Sequence, residues 1–136
     1  MMDILEQLAR DEGYKQFPYE DTVGKLTIGI GFNLTDVGLS LEESQAVLAL
    51  RVAKLTAGLA KLDWYATLDE VRQGVVKNLA YALGIGGLLH FPSMIHFLTM
   101  GDWNNAAAQL LASKWATQVG ERAKRLAMQM QTGAWV

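Results

Sequence analysis

Two carboxylic acids and a hydroxyl stand close together near the start of the chain: Glu12, Asp21 and Thr27, with eight residues between the first two and five between the last two. One protonated acid and one ionised acid facing each other across a groove can hydrolyse a glycosidic bond. The first protonates the leaving oxygen, and the second orients water or stabilises the oxocarbenium-like centre. A hydroxyl beside them can hold that water. Two acids nine positions apart are also common on ordinary protein surfaces, so the elements that carry them have to be read as well.

Ile4, Leu5, Leu8 and Ala9 recur at helical spacing up to Gly13, which puts Glu12 in the last turn of a first helix. A helix carries its partial negative charge at that end, and Asp11 adds another acid beside it. Both placements favour a proton on Glu12, as a general acid requires. Glu20-Asp21-Thr22-Val23-Gly24 is turn chemistry between β-prone runs at 16–19 and 25–30, which predicts a hairpin with Asp21 at its tip and Thr27 on the returning strand. Gly29 and Gly31 alternate with Ile28 and Ile30, leaving room for a saccharide or another backbone to come close.

The rest of the chain predicts helices. Phe32 to Gly38 reads as a loop, and Ser40 with Glu43 forms a capping box that opens a long helix carrying Val47, Leu48, Leu55, Leu59 and Leu62. Leu68, Val71, Val75, Val76, Leu79, Ala80 and Leu83 mark a buried central helix ending at Gly84, and Gly84 to Gly87 breaks the chain. Pro92 and Ser93 open a short helix to about Met100. Asp102 caps the next, running towards Gly120, and a last helix through Arg122, Leu126 and Met130 closes at Gly133.

Composition narrows the function classes. The chain has 136 residues, 51% of them hydrophobic, enough for one domain with its own core. There is no cysteine, and the two histidines, His90 and His96, lack thiolate partners, so neither a disulfide framework nor a zinc site is expected. The net charge of −2 combines an acidic start, nine acids and three bases in residues 1–43, with a basic remainder, five acids and nine bases. That asymmetry would orient the protein on an anionic polymer, or it reflects solvated faces. With no concentrated basic stripe, nucleic-acid binding is not expected. No secretory signal and no membrane-length apolar run are visible. Trp64, Trp103, Trp115 and Trp135 could stack on sugars, but helical spacing favours the core for most of them.

The run Asp11-Glu12-Gly13, followed by Tyr19-Glu20-Asp21-Thr22-Val23-Gly24-Lys25-Leu26-Thr27-Ile28-Gly29-Ile30-Gly31, resembles the catalytic segment of the T-even-type bacteriophage lysozymes, glycoside hydrolase family 24. Segments 68–73, 79–84, 101–107 and 113–125 resemble the later family segments in order, so nearly the whole chain is covered. The resemblance implies a two-lobed α+β lysozyme fold in one domain. A small β-hairpin lobe of about 13–39 is joined by a helix of about 40–62 to a helical lobe of 63–136 that also takes in the N-terminal helix.

The resemblance further implies a muramidase, cleaving the β-1,4 bond between N-acetylmuramic acid and N-acetylglucosamine, with inversion favoured and no metal or cofactor. Glu12, Asp21 and Thr27 would be its catalytic residues, with Gly31, Gln118 and Arg122 as binding or supporting residues and Arg122 as the partner of the catalytic Glu. The implied setting is a monomeric phage endolysin made in the host cytoplasm and acting on cell wall after release or virion delivery. Two alternatives stay open: a non-catalytic wall-binding or virion structural module of the same fold, and a glycosidase for another amino-sugar polymer. Three departures bear on these. Phe32 and Arg51 stand where well-known members have a histidine and its carboxylate partner, Ala82 stands where many have a polar residue, and the loop 34–39 is short.

Overall fold

A computed structural model describes residues 1–136. In chain order the elements are helix α1 (Ile4–Glu12), strands β1 (Lys15–Glu20), β2 (Leu26–Gly29) and β3 (Phe32–Asn33), then helices α2 (Leu41–Leu59), α3 (Asp63–Ala66), α4 (Glu70–Leu88), α5 (Pro92–Thr99), α6 (Trp103–Leu111), α7 (Lys114–Val119) and α8 (Glu121–Thr132). This is the expected α+β, lysozyme-like class. The residues group into two compact units, Met1–Leu48 and Ala49–Val136, with the boundary inside α2.

In the first unit α1 starts on a capping box. Asp3 Oδ1 accepts from the Glu6 N–H at 2.9 Å, and Glu6 Oε2 accepts from the Asp3 N–H at 3.0 Å. Two helix-start donors are thereby satisfied, a device worth about 1 kcal/mol. Gly13 ends the helix at φ 71°, a conformation that glycine adopts without steric cost. The three strands form an antiparallel sheet in the order β1-β2-β3, with Tyr19 opposite Thr27 and Thr27 opposite Asn33. An irregularity between Lys15 and Tyr19 interrupts the first pairing. Strand β3 falls where a loop was expected. It is two residues long, too short for alternation to reveal, and Leu34 N–H extends it by donating to Leu26 O at 2.7 Å. The Ser40–Glu43 capping box at the start of α2 forms as predicted.

The second unit holds the hydrophobic core. Val75, Val76 and Leu79 of α4 are fully buried, joined by Leu88, Met94, Leu98, Ala106, Ala107, Leu110, Leu126 and Met130. Helix α6 packs on α8, and α5 packs on α6. Alanines at 106, 107, 123 and 127 are buried, and their small side chains let the α6 and α8 backbones come close. Gly84 breaks α4 as expected, at φ 75° and ψ 163°, but a helical turn resumes and runs through Leu88. The expected helix from Asp102 towards Gly120 is two helices. Ser113 starts the second by accepting from the Ala116 N–H at 3.1 Å, a cap hidden within an alanine-rich stretch.

Arg72 fastens the end of α8 to the start of α4. Its Nε donates to Met130 O at 2.7 Å, Nη2 to Gln131 O at 3.1 Å and Nη1 to Asp69 Oδ2 at 2.9 Å, while its plane lies over the Trp103 ring at 4.1 Å. Trp115 is buried, and Trp64 and Trp103 pack against the core, so these three are structural. Trp135 is mostly exposed, with one ring edge set against Gly74. No single helix is long and apolar enough to cross a membrane.

Candidate functional site

Glu12 is the last residue of α1, as the helical spacing required. Its carboxyl rests on the chain immediately after β2: a β-carbon built on Gly31 would lie 2.5 Å from Glu12 Oε2 and 2.8 Å from Cδ. Gly31, at φ 65°, is thus filled by the protein's own acid. Gly29, at φ 66°, is covered in the same way by the Phe32 ring, 2.7 Å from where its β-carbon would stand. The expectation that these two glycines leave open space for a saccharide is corrected in both cases. The Asp11 carboxylate is matched by Arg10, whose Nε donates to Oδ1 at 2.8 Å, so it does not stand beside Glu12 as an unpartnered charge.

Asp21 sits at the hairpin turn, and its side chain builds that turn. Oδ1 accepts from the Val23 N–H at 2.9 Å and from the Lys25 N–H at 2.8 Å, while Gly24 at φ 80° completes the reversal. Both of these bonds land on one oxygen. Oδ2 is therefore the oxygen left for a ligand or water.

Thr27 is buried, 4% exposed, and its hydroxyl donates to Lys25 O at 2.9 Å. A hydroxyl has one proton, so Thr27 can meet a further partner only through its lone pairs. Lys25 O also accepts from the Asp21 N–H at 2.9 Å. The backbone groups of Lys25 consequently tie the two residues together, holding Asp21 through both N–H and carbonyl and Thr27 through the carbonyl. The sequence reading missed this role because it belongs to the backbone of Lys25. The Asp-x-x-Gly-Lys order of an Asx turn was the available signal. The Lys25 ammonium donates to Asp36 Oδ1 at 3.2 Å, which fastens the hairpin to the short loop after β3.

Arg122 and Gln118 belong to the second unit. Gln118 is exposed on α7. Arg122 is partly buried in the first turn of α8. Its Nε and Nη2 donate to Asn78 Oδ1 at 3.0 and 2.7 Å, and its guanidinium carbon stands 5.6 Å from the Trp115 ring centroid. Asn78 has no counterpart in the sequence reading, since it lies 44 residues from Arg122 inside an apolar helical pattern. Ala82, on the same helix, is exposed. A separate cleft of about 400 Å³ in this unit is lined by His90, Ser93, Gln109, Ser113, Lys114 and Trp115, and holds none of the expected site residues. No cluster of histidine and acidic side chains is arranged to hold a metal ion.

An α+β fold with a small antiparallel sheet and a helical core is the lysozyme-like fold class. The sequence comparisons reach the same class independently. Residues 9–131 match the family described as Phage lysozyme. The chain belongs to that family. It is 26% identical to "Probable T4-type lysozyme 1" of Dictyostelium discoideum, over 96% of this chain and 94% of that protein, and 25% identical to "Probable T4-type lysozyme 2" of the same organism with the same coverage. It is 28% identical to "Pre-baseplate central spike protein Gp5" of Enterobacteria phage T4, over 97% of this chain but only 28% of the spike protein's length. Membership supports a lysozyme-like function.

Proposed function

We propose that the chain is a muramidase, hydrolysing the β-1,4 bond between N-acetylmuramic acid and N-acetylglucosamine in peptidoglycan. Glu12 protonates the leaving oxygen. Asp21 takes a proton from the attacking water through Oδ2, because Oδ1 is already occupied by two backbone donors. Thr27, whose own proton is committed to Lys25 O, accepts the water's second hydrogen. With both hydrogens held, a lone pair of that water is turned towards the anomeric carbon. Water attacking opposite the leaving group gives inversion, which in glycosidases calls for carboxyl groups roughly 6.5–9.5 Å apart. Gln118 and Arg122 are assigned saccharide-binding or supporting roles, Arg122 with its guanidinium held by Asn78.

The observation that carries this reading is the Lys25 backbone, which sets the base and the water acceptor in register on one hairpin. The test is release of reducing ends from purified peptidoglycan by the wild type and by Glu12→Gln and Asp21→Asn. A second reading is a wall-binding or virion structural module, favoured by the spike protein among the relatives. It predicts sedimentation with cell walls and no new reducing ends from any of the three proteins. Chitin in place of peptidoglycan tests an amino-sugar polymer other than cell wall. On either reading the site of action is the bacterial wall, reached by release from the host or with a virion.

A further inference from the structure

Arg122 is gripped along one edge only. Nε and Nη2 both donate to Asn78 Oδ1, and Nη2 makes a longer 3.5 Å contact with Asn78 O. A guanidinium holds five N–H donors in one plane, and the Nε/Nη2 edge is the side-on fork with which arginine usually takes a carboxylate. Asn78 occupies that fork. The N–H groups of Nη1 are the ones without a protein acceptor. The partner is an amide: Oδ1 accepts the fork as a carboxylate oxygen would, but brings no negative charge to cancel the arginine's own. Swinging the guanidinium out of this plane would break both short bonds together and withdraw it from the Trp115 ring.

We infer that Asn78 is a positioning residue, which fixes the plane of Arg122 so that the full positive charge is presented end-on through Nη1 to a single oxygen acceptor, a carboxylate or a saccharide carbonyl. This rests on the reading of Arg122 as a residue of the lysozyme site. An aspartate at position 78 would orient the guanidinium equally well but would neutralise it, and an alanine would leave it charged but free to turn.

The experiment pairs ¹⁵N NMR of the arginine side chains with turnover on purified peptidoglycan, in the wild type, Asn78→Ala, Asn78→Asp, Arg122→Ala and Asn78→Ala/Arg122→Ala. The wild type is expected to show two resolved Nη signals for Arg122, because its rotation about Nε–Cζ is blocked. Asn78→Ala should collapse them to one and lower kcat about tenfold with KM little changed, the scale of one charge-assisted hydrogen bond. Asn78→Asp should keep the resolved signals without recovering kcat. In the Arg122→Ala background Asn78→Ala should cost nothing further. Averaged Nη signals in the wild type, full turnover in Asn78→Ala, or an undiminished loss in the double variant would each overturn the inference. A wild type that releases no reducing ends defeats the lysozyme reading instead, and the Nη signals then decide the role of Asn78 alone.

Discussion

The carboxyl of Glu12 occupies the space where a β-carbon on Gly31 would stand, so the acid at the end of α1 is seated by the absence of a side chain just after β2. Any side chain at position 31 meets two obstacles: a β-carbon would overlap Glu12, and φ 65° disfavours residues other than glycine. Gly31→Ala is expected to cost about 1–2 kcal/mol in stability. By displacing the acid it should also lower turnover on the order of 100-fold. Thermal unfolding and initial rates on peptidoglycan, measured on the same preparation, check both. Unchanged turnover would mean that Glu12 does not depend on that seat.

Asp21 both shapes the hairpin and, in the proposed reaction, accepts a proton, and one substitution separates the two. Asp21→Asn keeps an oxygen that can accept from Val23 and Lys25, so the turn should persist. Basicity is lost, and turnover should fall by roughly 10²–10⁴, the usual range for a general base. A variant with native circular dichroism and wild-type rates would remove Asp21 from the chemistry.

Thr27 is predicted to act as an acceptor. Thr27→Ser retains the hydroxyl and should keep most of the activity, while Thr27→Val keeps the shape and removes both the donor and the lone pairs. Lys25 O retains its bond from the Asp21 N–H in the valine variant, so the loss of stability should stay near 1 kcal/mol. The rate loss should be larger in proportion, about tenfold or more. Equal rates for serine and valine would show that no water is held there.

Two positions in the helical unit test the account of stability. Desolvation raises the pKa of Asp69, but hydrogen bonds from the Arg72 N–H and guanidinium, with the guanidinium charge, outweigh it and leave the pKa below the usual aspartate value. A carboxyl with a depressed folded-state pKa stabilises the fold fully above its unfolded value, about 3.9, and loses that contribution as pH falls through the folded value. Asp69→Asn should therefore lower stability at neutral pH and flatten its decline between about pH 5 and 2. Chemical unfolding over that range is the measurement, and parallel curves for both proteins would contradict it.

Tyr65 is buried with its hydroxyl unpartnered. Burial raises its pKa. Tyr65→Phe removes a polar group that has lost water without gaining a partner, and should leave stability unchanged or raise it by about 1 kcal/mol. Destabilisation beyond that would show that the hydroxyl is satisfied in solution.

What could be read from the residues was local. The end of α1 at Gly13, the Asp21 turn, the Ser40–Glu43 box and the apolar face of α4 all express short-range rules of spacing and capping, and each forms as expected. Strand β3, the division at Ser113 and the Arg72 fastening were not legible, because each depends on partners supplied by folding. The site divides in the same way. Residue types and spacing made Glu12, Asp21 and Thr27 candidates and the family resemblance singled them out, but a glycine pattern cannot say what fills the space above it, and Gly31 is filled by Glu12. Asn78 was invisible because its contact is with a residue 44 positions away, and the role of Lys25 was missed because it belongs to backbone groups without their own letter.

The proposal that Glu12 and Asp21 together hydrolyse a glycosidic bond is tested most directly by product analysis on purified peptidoglycan, comparing the wild type with Glu12→Gln. The account predicts soluble muropeptides ending in reducing N-acetylmuramic acid from the wild type, and a loss of at least about 100-fold in the variant. Equal release by the two proteins, or fragments ending in reducing N-acetylglucosamine, would contradict it.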